Sequence, residues 1–384
     1  MTTDVPSGTQ GPAPRPAAGR PAGRRRRVLG RVAHAVLFAA LTAGVFGLLP
    51  RLGGVAHDAA ELRQARPGFI VAAVVAQAAS LASYALLYRS VQVSLGGRLG
   101  FPLAARVVLA TFLVSHLTPF GSVTGTLVNV NAMESAGIPA ATTGEAVALS
   151  SLVSTLALIA LFGAGLIATA GHVATVYLLI AGAALVIAGA ALAAALALGA
   201  HPAAAGRAGR WAAGLLRRLR PGTDPARVAS SWQRLATAAK TALSGRDFLR
   251  SFCFAAADLL FDLLSLGLMF GALGSRPGFG PLAVAYAAAN IASAIPITPG
   301  GLGVIEVTLV AVTAGFGVPR ATAVLAVLGY RLVNYWLPLP VGAVAYLRLR
   351  LSARKGAAAK AGPPAAGPPA GGPATGGPAA GRTA

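Results

Sequence analysis

The sequence predicts an all-α polytopic membrane protein, with about six full transmembrane helices and two re-entrant or broken helical hairpins arranged as an inverted repeat. Three observations carry this expectation. Hydrophobic residues make up 55% of the chain and charged ones only 11%, and mean hydropathy is +0.70, whereas a soluble domain carries about 25% charged residues. The apolar residues come in runs of bilayer length. A Thr-Pro-x-Gly segment also occurs twice, at an offset of 180 residues.

Runs of about 18 or more apolar residues with almost no charge match the hydrocarbon core of a bilayer. Residues 32–49, 68–88, 143–170, 173–198, 248–272 and 321–347 are such runs. Residues 101–130 and 281–316 are equally apolar but broken in the middle by Pro and Gly, so neither is a plain straight span. The first run follows Arg24, Arg25, Arg26 and Arg27, which raises the reading of a cleaved signal peptide. No small-residue cleavage site follows residue 49 and more spans come after it, so a retained first helix is expected.

The net charge of +22 is placed by topology. Seven of 32 basic residues precede residue 32, ten lie within 201–250 and six from 348 onward. The positive-inside rule makes these three segments cytoplasmic, with both termini inside and an even number of crossings. Nucleic acid is not an expected partner, because no aromatic residues interleave with the arginines of the tails. Residues 1–31 and 348–384 read as tails, largely rich in Ala, Gly and Pro, that cannot bury a core and are expected to be disordered. In the loop 201–247, Trp211, Leu215 and Leu219 share a helical face ringed by Arg207, Arg210, Arg217 and Arg218. That is the pattern of a helix lying in the headgroup layer against anionic lipid. The single cysteine, Cys253, excludes a disulfide framework and a Cys/His metal cluster, and no cofactor is expected.

The offset of 180 aligns Thr118, Pro119 and Gly121 with Thr298, Pro299 and Gly301, and Gly137 and Pro139 with Gly317 and Pro319. Twelve of 36 positions are identical across 118–153. Each copy therefore has one plan: apolar helix, break, short apolar stretch, Gly-x-Pro turn, long span. Arg89, Arg98 and Arg106 at the mouth of the hairpin 101–137 put its opening on the cytoplasmic side, and counting crossings makes the hairpin 281–317 enter from outside. The repeats, about 68–198 and 248–347, would then be inverted, as in many transporters, with the working site where the breaks meet. With this topology 26 basic residues lie inside and five outside, leaving Arg331 in the membrane. Kinked full spans are the other reading of the broken stretches, and they leave the crossing parity unchanged.

At the second break the chain reads Thr298-Pro299-Gly300-Gly301-Leu302-Gly303-Val304-Ile305-Glu306, followed by Gly317-Val318-Pro319 and Tyr330-Arg331. This resembles the flippase-like transmembrane domain of the lysylphosphatidylglycerol synthase family, and the first break looks like its weaker counterpart. The likeness covers roughly residues 30–350. It implies a membrane domain that moves or accommodates lipids, which in full-length members translocates an aminoacylated phospholipid made by a cytosolic synthase domain. Here only a tail of 37 residues follows Leu347, so no synthase domain and no enzyme activity are expected.

Ionisable groups inside spans cost roughly 2.5–3.5 kcal/mol at the helix centre and are functional candidates by default. Glu306 and Arg331 are the first pair: either they face one cavity, with Arg331 holding a lipid phosphate, or they bind each other and lock the hairpin to the last span. Thr118, Pro119, Gly121, Thr298, Pro299, Gly300, Gly301, Gly303 and Asn334 complete the expected substrate-binding set. Asp258 and Asp262, four residues apart, share a helical face and suit proton or sodium coupling, unless one pairs with Arg331 and the other bonds across helices. Glu145 fits a helix N-terminus, and Glu134 fits capping or solvation. Asn129, Asn131 and Asn290 fit a polar groove or interhelical bonds, and His116 fits an interior histidine. Gly300, Gly301 and Gly303 lack the following Lys-Ser/Thr of a phosphate loop. The expected function is lipid translocation, against an ion-coupled transporter of a small amphiphile or a membrane scaffold. The Ala, Gly, Pro and Arg bias suits a GC-rich bacterium, hence a bacterial cell membrane.

Overall fold

Ten α-helices account for almost all of residues 65–118, 121–169, 224–242, 244–293 and 298–361, which, with a few isolated positions elsewhere, are those described by the computed structural model. They are α1 Pro67–Ser94, α2 Phe101–Leu117, α3 Gly121–Ser135, α4 Ala140–Ala168, α5 Pro225–Ala242, α6 Gly245–Ala272, α7 Phe279–Ser293, α8 Val304–Gly315, α9 Arg320–Arg331 and α10 Pro338–Ala361. A short 3₁₀ turn, Pro299–Gly301, precedes α8. A π turn, Leu332–Trp336, joins α9 to α10, with the Leu337 N–H donating to the Leu332 carbonyl at 3.0 Å. No strand occurs among the described residues.

α1, α4, α6 and the continuous stretch Arg320–Ala353 are long and apolar enough to cross a bilayer. They correspond to the expected spans 68–88, 143–170, 248–272 and 321–347. The expected spans 32–49 and 173–198, the helix around Trp211 and most of both tails lie outside the described residues. α10 runs on to Ala361, past residue 348 where a disordered tail is expected. Arg354, Lys355 and the alanines around them are strong helix formers, and propensity prolongs the helix beyond its apolar part. In the loop 201–247 the long described helix is α5. It buries Ala236, Ala238, Ala239 and Ala242 and turns Arg234 outward, 3.6 Å from Glu145 of α4.

Each arm of the broken segments is short. α2, α3, α7 and α8 have 17, 15, 15 and 12 residues, which at about 1.5 Å per residue is less than the ~30 Å of a hydrocarbon core. The arms of the first segment lie side by side: Gly125 of α3 faces Thr111 and Ser115 of α2 so closely that a side chain there would strike the Ser115 hydroxyl. α7 and α8 pack on each other in the same way. α2 packs on α10, and α7 on α4.

The two segments end in matching turns. Gly137 and Gly317 take φ of +83° and +89°. The Gly137 N–H donates to the Glu134 carbonyl and that of Ile138 to Met133; the Gly317 N–H donates to Ala314 and that of Val318 to Thr313. Every donor and acceptor in one turn is the other's shifted by 180. This left-handed cap satisfies carbonyls that a helix end leaves unpaired.

The long helices of the two halves, α1 and α6, run antiparallel. Arg66 donates its N–H to the Ala272 carbonyl at 3.0 Å, Ser80 bonds Asp258, and Ser90 bonds Ser251 at 2.9 Å. Ala73, Ala76, Ser83, Ala255 and Ser265 are buried on these helices, and Gly271 packs against Phe69. In lipid, where apolar surface gains nothing by leaving the tails, such small residues let helices approach and gain dispersion contacts.

Candidate functional site

An apolar helix that must cross hydrocarbon has no reason to carry a polar stripe unless the stripe faces protein or a cavity. On α1, Gln77, Ser80, Tyr84 and Tyr88 recur at helical spacing and line one cavity of about 310 Å³. Opposite them α6 brings Asp258 and Asp262, the arms of the first hairpin bring Thr111, Ser115, His116, Thr126 and Asn129, and the π turn brings Asn334. No Lys or Arg is among the described residues lining it.

The two carboxylates are held differently. Asp262 accepts three hydrogen bonds: from Tyr286 Oη at 2.8 Å, Tyr330 Oη at 2.9 Å and Asn334 Nδ2 at 2.8 Å. Asp258 accepts one from Ser80 Oγ at 2.7 Å. Deeper along the stripe, Tyr88 donates to Asn129 Oδ1 at 2.7 Å and receives Gln92 Nε2 at 3.0 Å. His116 sits at the other end, stacked on Phe112 with ring centroids 3.8 Å apart and with Nδ1 2.8 Å from the Phe112 carbonyl oxygen.

A second cavity, of about 270 Å³, abuts the first and shares Gln77 and Leu81 with it. The rest of its lining is apolar and comes from α1, α2 and the start of α10: Val74, Ala78, Ala82, Phe101, Ala105, Leu109, Leu337, Pro338 and Val341. The cavity with the polar stripe therefore shares a wall, Gln77 and Leu81, with an apolar one.

Glu306 and Arg331 lie elsewhere. Arg331 Nε donates to Glu306 Oε1 at 2.6 Å, and the two residues are 2% and 0% exposed. Glu306 Oε2 also accepts the Gly303 N–H at 2.7 Å in the first turn of α8, where the helix dipole favours a carboxylate. Arg331 Nη2 donates to the Gly300 carbonyl at 3.2 Å, and its guanidinium covers the Tyr335 ring at 4.5 Å. Gly300 holds φ +62°, and a Cβ there would meet the Tyr335 ring and His116. Tyr335 in turn donates to the His116 carbonyl at 3.0 Å, which ties the second break to the end of α2. Charge pairing and freed backbone groups are thus satisfied internally, as low dielectric demands.

Of the expected site residues, Asp258, Asp262 and Asn334 come together at the polar cavity, joined by His116 and Asn129. Glu306, Arg331, Gly300, Gly301 and Gly303 form the second break and are absent from that lining. Thr118 Oγ1 turns back onto the Val114 carbonyl at 2.7 Å, and Thr298 Oγ1 is buried. Gly121 abuts the Ser115 backbone, and Pro119 is outside the described residues. The alternative pairing of an aspartate with Arg331 is corrected: Arg331 takes Glu306, and Asp262 takes three neutral donors. Asn290 donates to the Tyr286 carbonyl of its own helix, while Asn131 and Glu134 are exposed. Gln77, Ser80, Tyr84 and Tyr88 go unnoticed in the sequence reading, although their spacing within an apolar run was the available signal.

The family model described as lysylphosphatidylglycerol synthase TM region matches residues 30–342. Three curated relatives align over shorter stretches. A UPF0104 membrane protein of Methanothermobacter thermautotrophicus is 29% identical over 93 residues, 24% of this chain and 28% of the relative. The inner membrane protein YbhN of Escherichia coli is 36% identical over 66 residues, 17% of this chain and 21% of the relative. The UPF0104 membrane protein PH1989 of Pyrococcus horikoshii is 32% identical over 89 residues, 23% of this chain and 27% of the relative. The aligned chain spans less than a third of each relative's length. With apolar helices of bilayer length and a family match over most of its residues, the chain is a multi-pass membrane protein that belongs to the lysylphosphatidylglycerol synthase TM region family.

Proposed function

We propose that the chain moves a polar-headed lipid, such as a phospholipid, between leaflets. The observation that carries this reading is the side-by-side placement of the two cavities, which share Gln77 and Leu81. A headgroup seated against Asn129, Asn334 and the aspartates would leave its acyl chain to the apolar chamber, so charge need not cross hydrocarbon, where it costs many kcal/mol. Family membership agrees with the reading.

The same proposal includes an inverted repeat, with residues 32–49 and 173–198 completing six full spans. The offset of 180, the matching turn bonds and the antiparallel packing of α1 with α6, its counterpart in the second half, support it. The basic segments then keep both termini and the loop 201–247 at the cytoplasmic face of a bacterial membrane, near anionic headgroups. Thr118 and Gly121 close one wall of the path. Thr298, Pro299, Gly300, Gly301 and Gly303 form the opposite wall, which the Glu306–Arg331 pair holds in place.

Reconstitution into liposomes carrying fluorescent lipids, read with a membrane-impermeant quencher, tests this. Movement between leaflets that falls on Asn129→Leu is expected. Absence of movement for anionic, zwitterionic and cationic headgroups alike would sink the reading.

A further inference from the structure

We propose that the polar cavity binds a monovalent metal cation of the sodium class, held by Asp258 with Gln77 and Thr111. Gln77 is 3% exposed, and its Oε1 finds no hydrogen-bond partner among the described residues although the side chain lines the cavity. The Thr111 hydroxyl, on another helix of the same cavity, is likewise buried without one. A buried polar atom left unpaired costs about 1–3 kcal/mol. Two such oxygens, on residues that line one chamber, call for a ligand that satisfies both.

The ligand's charge follows from the carboxylates. Among the described residues Asp262 is engaged by three donors and Asp258 by Ser80 alone, so one carboxylate retains free acceptor capacity. The antiparallel register that sets Ser80 against Asp258 brings Gln77, nearly one turn along α1, level with Asp262. Carboxylate, amide oxygen and hydroxyl from α6, α1 and α2 therefore share one chamber. An oxygen-only set suits a hard cation, and Asp258 as the one carboxylate with free acceptor capacity suits a monovalent one. Among the described residues no three His, Cys, Asp or Glu side chains group together, so a divalent or soft metal lacks its usual ligands. Among the described residues no Lys or Arg lines the cavity, and Arg331, although near Asp262, directs its hydrogen bonds to Glu306 and Gly300.

Binding stands independently of lipid movement. Its consequence rests on the translocase reading: a lipid phosphate arriving in a chamber with two carboxylates is repelled, and a cation at Asp258 offsets one of those charges. Sodium and lipid would then bind cooperatively.

Equilibrium binding of radiolabelled sodium to the purified full chain in phosphatidylcholine nanodiscs is the test, with unlabelled sodium and ethanolamine as competitors. Saturable binding to the wild-type chain is expected. Asp258→Asn should weaken it about tenfold or more, since affinity follows ligand charge. Gln77→Ala and Thr111→Val should each weaken it several-fold, and they keep the test decisive if Asp258→Asn does not fold. No saturable binding by folded wild-type chain, unchanged binding in all three variants, or displacement by ethanolamine as effective as by sodium would overturn the proposal. In liposomes, lipid movement that rises with sodium supports the coupling. Movement indifferent to sodium overturns the coupling, and no movement despite sodium binding overturns the translocase reading and leaves the cation site standing.

Discussion

The two Thr-Pro breaks share a sequence plan and differ in what holds them. The second is closed by a buried ion pair, with Arg331 reaching Glu306 and Gly300, Glu306 reaching Gly303, and Tyr335 covering the guanidinium. The first has no such pair among the described residues. At the offset of 180, Glu306 and Arg331 correspond to Thr126 and Ser151, and Ser151 is exposed. What the first hairpin has instead is the cavity: Thr111, Ser115, His116, Thr126 and Asn129 all line it, and no described residue of 279–315 does, Tyr286 reaching it only through its bond to Asp262. One break is thus a fixed, ion-paired wall, and the arms of the other line the cavity.

Removing one partner of the fixed wall gives the largest expected effect. Arg331→Met leaves Glu306 buried and unpaired, which costs about 3–5 kcal/mol, read as loss of thermal stability in detergent. Ser151→Ala, at the matching site, should stay within about 0.5 kcal/mol. Adding Glu306→Leu to Arg331→Met should recover most of the loss, because the pair's stabilisation largely offsets its own desolvation. Equal effects at positions 331 and 151 would dissolve the contrast.

Gly300→Ala comes next. The residue sits at φ +62°, and a Cβ would press on Tyr335 and His116. Strain of about 1–3 kcal/mol is expected, again by thermal unfolding. Tyr335→Phe is milder: it removes the bond to the His116 carbonyl and keeps the ring under Arg331, for about 1 kcal/mol. If Tyr335→Phe instead matched Arg331→Met, the wall would depend on its link to α2 more than on its ion pair.

The spans and breaks were legible because their physics is written in composition and in Pro-Gly spacing. The four described spans follow hydropathy alone, and the turns at 137 and 317 follow from glycine before proline. The cavity was less legible. Sequence gives charge, so Asp258, Asp262, Glu306 and Arg331 were all singled out, yet which of them share a chamber depends on helix register. Arg331 and Asp262 sit near each other, but α9 presents Tyr330 and the π turn presents Asn334 to Asp262, while Arg331 points to α8. Neutral side chains such as Gln77 and Ser80 carry no signal of their own and are read only as a stripe.

The smallest expected contrast bears on whether the difference between the halves is confined to the breaks. Gly137 and Gly317 adopt nearly the same left-handed φ, and a Cβ at either would meet nothing within 4 Å. Gly137→Ala and Gly317→Ala therefore add no clash, and each should cost only the conformational penalty of about 1–2 kcal/mol. The same two backbone bonds close both turns, so the two losses in thermal stability should agree within about 0.5 kcal/mol. Agreement would confine the difference between the halves to the ion-paired break. A markedly larger loss at Gly317 would mean that α8 passes strain from the Glu306 end to its turn, and the fixed wall would then extend over the whole second hairpin.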